Sequence, residues 1–402
     1  MQNACAGSGK ERTRRCLGRR VGFQGPGKAL RRKEDRRMHI LAVVVNYRSR
    51  PWTCRAVHSL CANSCSASLE VVVVDNSEDA QEWAALKKAL PASVSLMRFD
   101  RNVGFGQACQ RVWETHRHAE GVLLLNPDAT LCAGCLPRLT SMLQARPDVG
   151  AVAPRIYWDP EKRFCCPPAW PAEWVAAHTM AGQLGVMSPW AYEILARLWR
   201  LKALHFWTAA RPQSVAAVSG DVVLVRSEAA AQVGGLFDPR FFLYYEDTDL
   251  SHRLRRAGWR LMMDPGAEAV HEYDQCARAD LGFKRQWMHV SHLGFLDKHY
   301  PRLGRLVRRV PAHPPGTFRL AKSVVFRAPF CVRVPRSLRS RWLFEWSPNP
   351  HGMPAAGQLG SGDQVIFDAS CWNRLAPGRY VGRLGPAQGL GAARLCWAWE
   401  VS

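Results

Sequence analysis

An acidic cluster lies in the second half of the chain, where carboxylates are placed to take part in proton transfer. Glu246, Asp247 and Asp249 follow the aromatic stretch FFLYY, so three acids occupy four consecutive positions. Partial burial and mutual repulsion raise the pKa of such carboxylates, which suits a general base at neutral pH. Acidic residues are also common in the first turn of a helix, because they offset its positive dipole end. The sequence leaves both interpretations open.

Single polar residues end several predicted strands. Asn46 ends HILAVVVN, Asp75 ends LEVVVVD and Asp128 ends LLLNPD. Carboxylates at such positions suit a divalent cation or the ribose or base of a nucleoside, but aspartate there also forms caps and turns. His271 follows a later predicted strand, and its interpretation as a metal ligand depends on whether carboxylates lie nearby.

Two shorter motifs give weaker signals. Gly104 and Gly106 in RNVGFGQ precede a predicted helix, where a glycine-rich turn lets a phosphate or sugar approach the backbone. The turn lacks the full dinucleotide-binding pattern. Cys132 and Cys135 form a CxxC pair without a second ligand pair, which is little support for zinc. The fourteen cysteines are scattered and predict reduced thiols in a cytosolic protein.

The elements that must position these residues alternate between strand and helix from His39 onward. Continuous β-branched runs such as HILAVVVNY are typical of parallel strands that are buried on both faces. The alternation predicts right-handed βαβ units in an open, mainly parallel sheet. Because ligands of such sheets bind beyond the carboxyl ends of the strands, Asn46, Asp75 and Asp128 are expected at one site. Helices are predicted over residues 51–62, 81–90, 105–117, 135–145, 188–207 and 227–233, and a strand over 215–226.

The net charge of +22 is concentrated in two segments. Residues 1–37 contain twelve Lys or Arg and three acids, and residues 301–342 contain eleven Lys or Arg and no acid. Basic segments attract nucleic acid, anionic lipid headgroups or phosphorylated substrates, or they only solubilise a surface. We find no signal peptide before the first strand and no apolar run of about 18 residues. We expect a cytoplasmic protein that is soluble, or peripheral on the inner face of the plasma membrane.

Seven segments, in order, resemble the family 2 glycosyltransferases, in particular the bacterial rhamnosyltransferase-type members. They are VVVNY, VVVVDNS, RNVGFG, LLLNPD, VSGDVVLVR, GGLFDPRFFLYYEDTDLSHRLRRAG and WRLMMDPGAEAVH. Each segment alone is common, whereas seven in this order are specific. The resemblance implies the α/β GT-A fold, a Rossmann-like nucleotide-sugar transferase fold with a mainly parallel central sheet, here followed by a small C-terminal β-rich domain.

The resemblance also implies a donor site with a metal ion. Asp75 is expected to contact the nucleoside, and Asp128 stands at the position of the Asp-X-Asp metal motif. His271 is expected to complete the metal site, which would hold Mg²⁺ or Mn²⁺. The expected donor-binding residues are Asn46, Asp75, Asn102, Gly104, Asn126 and Asp128.

Asp247 is expected to be the catalytic base, since the family inverts the anomeric centre in a single displacement. The expected acceptor-binding residues are Gly220, Asp221, Glu246 and Asp249. Two positions depart from the family pattern. The metal motif reads Asn126-Pro127-Asp128, so only one of its two usual carboxylates is present, and Gln110 stands about where the family has Asn. The first departure weakens the case for a metal, and the second could shift the donor preference.

Changes in composition divide the chain into four predicted parts. Residues 1–37 are expected to be a disordered basic arm, and residues 38–300 the GT-A catalytic domain. Residues 301–335 are a basic linker or helical segment, for which contact with an anionic membrane is a hypothesis. Residues 336–402 contain short aromatic-rich segments between Pro and Gly turns, which predict a small β-rich accessory domain.

The resulting hypothesis is an inverting glycosyltransferase of cell-surface polysaccharide, lipopolysaccharide or cell-wall biosynthesis. It would transfer a sugar, with dTDP-rhamnose as the expected donor, to a saccharide or lipid-linked glycan. A nucleic-acid-binding protein is an alternative that only the charge favours, because no recognition motif is present. A nucleotidyltransferase is another, although RNVGFG is misplaced for its phosphate loop. An inactive binding module is a third, and the presence of Asp128, Asp247 and His271 argues against it.

Overall fold

The computed structural model describes residues 37–63, 68–184, 189–272, 281–309, 325–388 and 395–402. The predicted disordered arm lies outside the described residues except for Arg37. The strands are β1 (His39–Asn46), β2 (Ser68–Asp75), β3 (Ser95–Arg98), β4 (Gly121–Leu125), β5 (Ala129–Leu131), β6 (Val149–Tyr157), β7 (Gln213–Val215), β8 (Val222–Arg226), β9 (Arg260–His271), β10 (Val325–Phe326), β11 (Phe330–Arg333), β12 (Trp342–Ser347), β13 (Ala356–Gly360), β14 (Gln364–Phe367), β15 (Gly378–Pro386) and β16 (Leu395–Val401). The helices are α1 (Arg50–Ala62), α2 (Ala80–Ala89), α3 (Phe105–Thr115), α4 (Cys135–Ala145), α5 (Ala172–Leu184), α6 (Pro189–Trp207), α7 (Ser227–Gln232), α8 (Glu246–Arg256), α9 (Leu281–His299), α10 (Pro301–Arg309) and α11 (Ala369–Trp372).

A large sheet forms the centre of the first part of the chain. Its strand order is β3-β2-β1-β4-β8-β6-β9-β5, and β7 also pairs with β9. The longest ladders, β1 on β2 and β6 on β9, are parallel, whereas β8 runs antiparallel to both β4 and β6. The mainly parallel sheet predicted from the alternating pattern is confirmed.

Both faces of this sheet are covered, which explains the continuous apolar runs. Alternate residues of β1 point to opposite faces, as in any strand. Ile40 belongs to the cluster that includes Leu60 of α1 and Leu139 of α4. Its neighbour Leu41 belongs to the cluster that includes Val112 of α3 and Leu254 of α8. A strand buried on both faces has no polar face, so hydrophobicity does not alternate along it.

Two details of the sheet differ from the prediction. The strand predicted over 215–226 is interrupted, because β7 ends at Val215 and β8 begins at Val222, with Gly220 and Asp221 in the intervening loop. The three-residue strand β5 was not predicted. It pairs antiparallel with the last residues of β9, so that Ala129 lies opposite His271.

The C-terminal residues form two further sheets. One has the order β10-β16-β15-β12-β13, and the other pairs β11 with β14. The predicted small β-rich unit is therefore present. Its strands begin at Val325, inside the segment 301–335 that was expected to be a linker, and α10 occupies the start of that segment. The exact domain boundaries stay a prediction.

An aromatic cluster joins the C-terminal sheets to the first part of the chain. Trp158 follows β6, and its ring centroid lies 4.8 Å from that of Trp346 on β12. Phe164 lies 5.7 Å from Phe344 and 5.9 Å from Phe367, again measured between ring centroids. Helix α6, predicted from its apolar pattern, packs Trp199 and Trp207 into a cluster with Leu343 of β12. None of the described helices is both long and apolar enough to cross a membrane.

Candidate active site

The carboxyl ends of β1 and β2 meet in a buried polar network. Asn46 donates from Nδ2 to Asp75 Oδ1 at 3.2 Å and accepts at Oδ1 from Thr53 Oγ1 at 2.7 Å. Both Asn46 and Asp75 are fully buried. Within the described residues no hydrogen-bond donor reaches Asp75 Oδ2, and the nearest cation is Arg98, whose Nε lies 3.9 Å away. The two residues lie beneath the cleft floor, and their predicted contact with the donor stays a prediction.

A cavity of about 200 Å³ opens beside this network. Five predicted site residues line it: Asn102, Gly104, Asn126, Asp128 and His271. The sequence analysis missed Tyr47, Asn76 and Lys284, which also line it. Tyr47 and Asn76 each directly follow a polar residue that ends a strand, and this position could have indicated them. Nothing in the sequence indicated Lys284.

Close packing explains why the turn before α3 contains glycine at position 104. Gly104 has a φ of +81°, and a Cβ there would lie 2.2 Å from the carbonyl oxygen of Phe242. Phe105 N donates to the same carbonyl at 3.0 Å. Asn102 Oδ1 accepts from Gly104 N at 2.9 Å and from Asn76 Nδ2 at 2.7 Å. The turn is thereby fixed against the aromatic loop that precedes α8.

His271 lies between two carboxylates although they are far apart in the chain. Its Nε2 is 3.2 Å from Asp128 Oδ1, and its Nδ1 is 2.8 Å from Asp221 Oδ2. The β5–β9 ladder places Asp128 beside His271, and Glu272 N donates to the Asp128 carbonyl at 3.0 Å. Asn126 N donates to the Asp221 carbonyl at 2.8 Å, because β4 and β8 are antiparallel neighbours. Strand register therefore assembles the three side chains.

The charges of this trio are strongly coupled. Burial alone would lower the pKa of His271, but the charges of Asp128 and Asp221 and their hydrogen bonds raise it to about 10. Burial would likewise raise the pKa of Asp221, and the charge of His271 lowers it instead. The two carboxylates therefore favour the protonated form of His271 as long as no cation is bound.

The trio fits a divalent cation in one arrangement. Asp128 and His271 Nε2 can share one ion, while Asp221 holds the other ring nitrogen of His271 and fixes its orientation. All three residues cannot bind one ion as placed, because the two carboxylates face opposite nitrogens of the same ring. Binding would require His271 to lose its proton, so the cation would replace that positive charge. Asp221, predicted to contact the acceptor, is thus placed to orient His271.

The acidic cluster begins α8, and each of its carboxylates has a different environment. Asp247 Oδ2 accepts from Gly220 N at 3.1 Å, and its Oδ1 accepts from Thr248 N at 2.6 Å. Burial raises the pKa of Asp247, and these hydrogen bonds offset part of the effect. Burial and the neighbouring charge of Asp247 raise the pKa of Glu246 to about 8. Asp247 lies beside the loop that carries Asp221.

Asp249 faces the body of the protein. Its carboxylate lies 2.7 Å from Arg253 Nε, 2.6 Å from Lys298 Nζ and 2.7 Å from His299 Nε2. Although burial would raise its pKa, the His299 hydrogen bond and the two cations hold that pKa well below its usual range. These contacts tie α8 to α9. A direct contact of Asp249 with the acceptor stays a prediction.

A second cavity, of about 250 Å³, also adjoins the trio. Asp221 and His271 line it together with Ser219. Its remaining lining is mostly Trp and Pro, and part of it comes from the C-terminal sheets: Trp158, Pro167, Pro168, Trp170, Trp346, Pro348, Asn349 and Pro354. Within the described residues, Trp170 Nε1 and Trp346 Nε1 are buried without a hydrogen-bond partner. Sequence reasoning missed this cavity, and the Trp-rich C-terminal segments were its only signal.

The CxxC pair does not form part of the cleft. Cys132 is half-buried and Cys135 is buried. Burial raises the pKa of the Cys135 thiol. Among the residues that the structure describes, neither cysteine joins a group of three potential metal ligands.

Comparison with protein families identifies a match over the first part of the chain. Residues 37–289 match the family described as "Glycosyltransferase like family 2". The chain is 30% identical over 270 residues to the N-acetylglucosaminyl-diphospho-decaprenol L-rhamnosyltransferase of Mycobacterium tuberculosis, and the alignment covers 64% of this chain and 84% of that protein.

Two solved structures show a more distant likeness. The mannosyltransferase PcManGT of Pyrobaculum calidifontis, solved with GDP-Man and Mn²⁺, has 20% identity and a TM-score of 0.40 over 70% of this chain and 67% of that chain. GalNAc-T7, solved with UDP, GalNAc and Mn²⁺, has 12% identity and a TM-score of 0.40 over 92% of this chain and 72% of that chain.

The family match covers more than half of the chain and includes the seven segments that carried the resemblance. The match agrees with the mainly parallel sheet and its additional β sheets. The predicted GT-A fold class and the predicted enzyme class are confirmed, and the chain belongs to the family 2 glycosyltransferases.

Proposed function

We propose that this enzyme transfers rhamnose from a nucleotide-sugar donor to a lipid-linked glycan, with inversion at the anomeric carbon. The observation that carries the proposal is the loop of Gly220 and Asp221. Gly220 bonds the carboxylate of Asp247, and the adjacent Asp221 bonds His271. A base and a candidate metal site are thereby held on one short loop between two cavities. The name of the mycobacterial relative supports the choice of sugar and acceptor.

The donor would occupy the cavity lined by Asn102, Asp128 and Lys284. Lys284 lines this cavity, and its positive charge favours phosphate oxygens there. A divalent cation held by Asp128 and His271 would supply positive charge for the departing diphosphate. Mg²⁺ and Mn²⁺ both suit a set of oxygen and imidazole donors with water in the remaining positions.

Asp247 would take the proton of the attacking hydroxyl. Burial keeps its pKa raised, which strengthens it as a base relative to an exposed aspartate. The hydrogen bonds from Gly220 and Thr248 fix the direction of its carboxylate. The hydroxyl attacks the side of the anomeric carbon opposite the diphosphate, so one displacement inverts that carbon.

The acceptor glycan would occupy the second cavity. Its indole and proline surfaces suit the C–H faces of a sugar ring. Because His271 lines both cavities, a sugar bound in the second cavity would lie beside the proposed metal site.

A helical face beside the cavities would bring the enzyme to its lipid-linked acceptor. Helix α5 packs against α6 and α10, and α10 packs against α9. Of the eight exposed large hydrophobic side chains among the described residues, six lie on these four helices: Met180, Ile194, Leu198, Met288, Val290 and Leu306. The four arginines of α10 are exposed as well. Each basic residue near an anionic surface contributes about 1 kcal/mol of attraction, which supports a peripheral membrane contact.

A donor panel tests the proposed function. The purified chain would be incubated with Mn²⁺ or Mg²⁺, a polyprenyl-diphosphate-linked N-acetylglucosamine and single nucleotide sugars, and release of nucleoside diphosphate would be measured. We expect release to depend on the acceptor and to be fastest with dTDP-rhamnose. Equal or greater acceptor-dependent release from another donor would refute the choice of rhamnose.

The base assignment has its own test. Asp247→Asn keeps the size of the side chain but cannot accept a proton at neutral pH, so we expect loss of at least about 100-fold in kcat. Donor binding, measured by calorimetry, should stay nearly unchanged. Turnover by Asp247→Asn at the wild-type rate would show that another group takes the proton.

A further inference from the structure

Imidazoles and one carboxylate gather at the edge of the central sheet opposite the cleft. His39 begins β1, Glu70 lies near the start of β2, and His116 and His118 lie between α3 and β4. Asn46, at the cleft end of β1, is seven residues further along the strand, a distance of about 23 Å at about 3.3 Å per residue. This cluster is therefore separate from the active site.

The distances within the cluster are those of a metal site. His39 Nε2 lies 3.7 Å and His118 Nε2 lies 3.4 Å from Glu70 Oε2, and His116 Nε2 lies 3.4 Å from Glu70 Oε1. Charge-assisted hydrogen bonds are shorter, about 2.7–2.9 Å. Tetrahedral ligands at about 2.0–2.1 Å from zinc are separated by about 3.3–3.4 Å. The ligand atoms of His39, Glu70 and His118 all lie within 4.8 Å of one another.

The orientation of His116 adds an independent observation. Its Nδ1 lies 2.7 Å from the carbonyl oxygen of Val112, and a carbonyl can only accept. Nδ1 therefore carries the hydrogen, and in the neutral ring Nε2 turns its lone pair toward Glu70. A lone pair facing a carboxylate is repulsive unless a proton or a cation lies between them. A backbone carbonyl that fixes the second ring nitrogen is usual for metal-binding histidines.

We propose that His39, Glu70 and His118 bind a zinc ion, with His116 as the fourth ligand. Imidazole and carboxylate donors suit borderline first-row metals, and zinc among them has no redox chemistry, as suits a structural site. The ion joins the first residues of β1 and β2 to the turn before β4. Its role is to stabilise this edge of the sheet.

Binding requires one local movement. The rings of His39 and His118 are stacked, with centroids 4.7 Å apart and planes at 19° to each other. Two parallel rings cannot both direct a lone pair at one ion, so one ring must turn. The side chain of His118 is 60% exposed and has room to do so.

The test is zinc binding by the chelator-treated, full-length protein in excess Mg²⁺, which saturates sites that prefer oxygen ligands. Zn²⁺ alone is the probe, and bound zinc is counted after equilibrium dialysis. We expect His118→Ala and Glu70→Gln each to bind one equivalent less than the wild type. The exposed histidine His58 on α1 provides the matched control, and His58→Ala should bind as much as the wild type.

The thermal unfolding midpoint provides a second measurement, in case a variant folds poorly. Zinc should raise the thermal unfolding midpoint of the wild type and of His58→Ala, and it should leave that of His118→Ala unchanged. Replacement by Co²⁺ should give the visible absorption of a tetrahedral site only where His118 is present. Equal zinc binding and equal thermal shifts in the wild type and His118→Ala would overturn the proposal, since Glu70 would then only pair with protonated imidazoles.

Discussion

Both ring nitrogens of His271 contact a carboxylate, and only one of these two contacts could be predicted from the sequence. The resemblance predicted that Asp128 and His271 belong together, although 143 positions separate them, and the structure places them 3.2 Å apart. It did not predict that Asp221 bonds the other nitrogen of His271. That contact depends on the antiparallel register of β8 against β4, and the sequence had suggested one unbroken strand there. The register between these strands decides which side chain contacts Asp221. The pattern of residues within one segment does not predict that register.

Glu246 gives a testable consequence for stability at this scale. Its pKa is raised to about 8, chiefly by burial and then by Asp247, so the folded chain holds this proton more tightly than the unfolded chain. From the ordinary glutamate pKa of about 4.3 up to about 8, the unfolded state alone loses the proton, and stability falls as pH rises. We expect Glu246→Gln to remove this contribution. Urea unfolding at several pH values should show a smaller loss of stability across that window in Glu246→Gln than in the wild type.

At the scale of elements, long buried strands were predictable and short ones were not. Strands β1, β2, β4 and β6 are runs of apolar residues buried on both faces, so composition alone indicates them. Strand β5 has three residues, and only its pairing with β9 defines it. Helix α8 begins with the acidic cluster and has three arginines in its last turn, which complement the helix dipole. The acids do begin a helix, and the role of Asp247 as a base stays a prediction.

A buried carboxylate links α8 to α9, beside the ring contact between His252 and His299. Asp249 is fully buried and pairs with Arg253, Lys298 and His299. We expect Asp249→Asn to lower the free energy of unfolding by about 1–3 kcal/mol, because it removes a buried carboxylate that accepts charged hydrogen bonds. The loss is limited, since Lys298 keeps its pair with Asp238 and Arg253 keeps three carbonyl acceptors. Asp148→Asn is the control, since Asp148 forms an exposed pair with Arg146 and its replacement should change stability little. Equal unfolding midpoints for both variants in urea would contradict this role.

At the scale of the molecule, the C-terminal sheets supply part of a cavity that touches the reaction centre. The sequence predicted their β-rich character from short aromatic segments between turns. It could not predict their position, because the contacts of Trp158 and Phe164 with β12 and β14 join residues almost two hundred positions apart. Trp346 belongs both to this joint and to the lining of the second cavity.

Trp346→Phe tests the role of the C-terminal sheets in acceptor binding. The change keeps an aromatic ring in the core but removes part of the indole surface that lines the second cavity. Loss of aromatic contact with the acceptor worth about 0.5–1.5 kcal/mol would raise the acceptor KM about 2- to 12-fold. Hydrolysis of the donor without acceptor should be unaffected. Trp342→Phe, on the same strand but outside the cavity lining, should leave the acceptor KM unchanged, and an equal rise in both variants would point to general loosening of the core.

The shared aromatic cluster has a consequence for the inheritance of acceptor preference. Trp158 and Phe164 pack into the interior of the C-terminal sheets. Each of the two parts would therefore expose apolar side chains without the other. A graft of residues 325–402 onto a relative would bury foreign side chains against this interior unless the segment after β6 moved with them. Changes of acceptor preference among relatives should therefore require paired substitutions in residues 325–402 and in the segment after β6. Exchange of residues 325–402 alone should seldom transfer the preference.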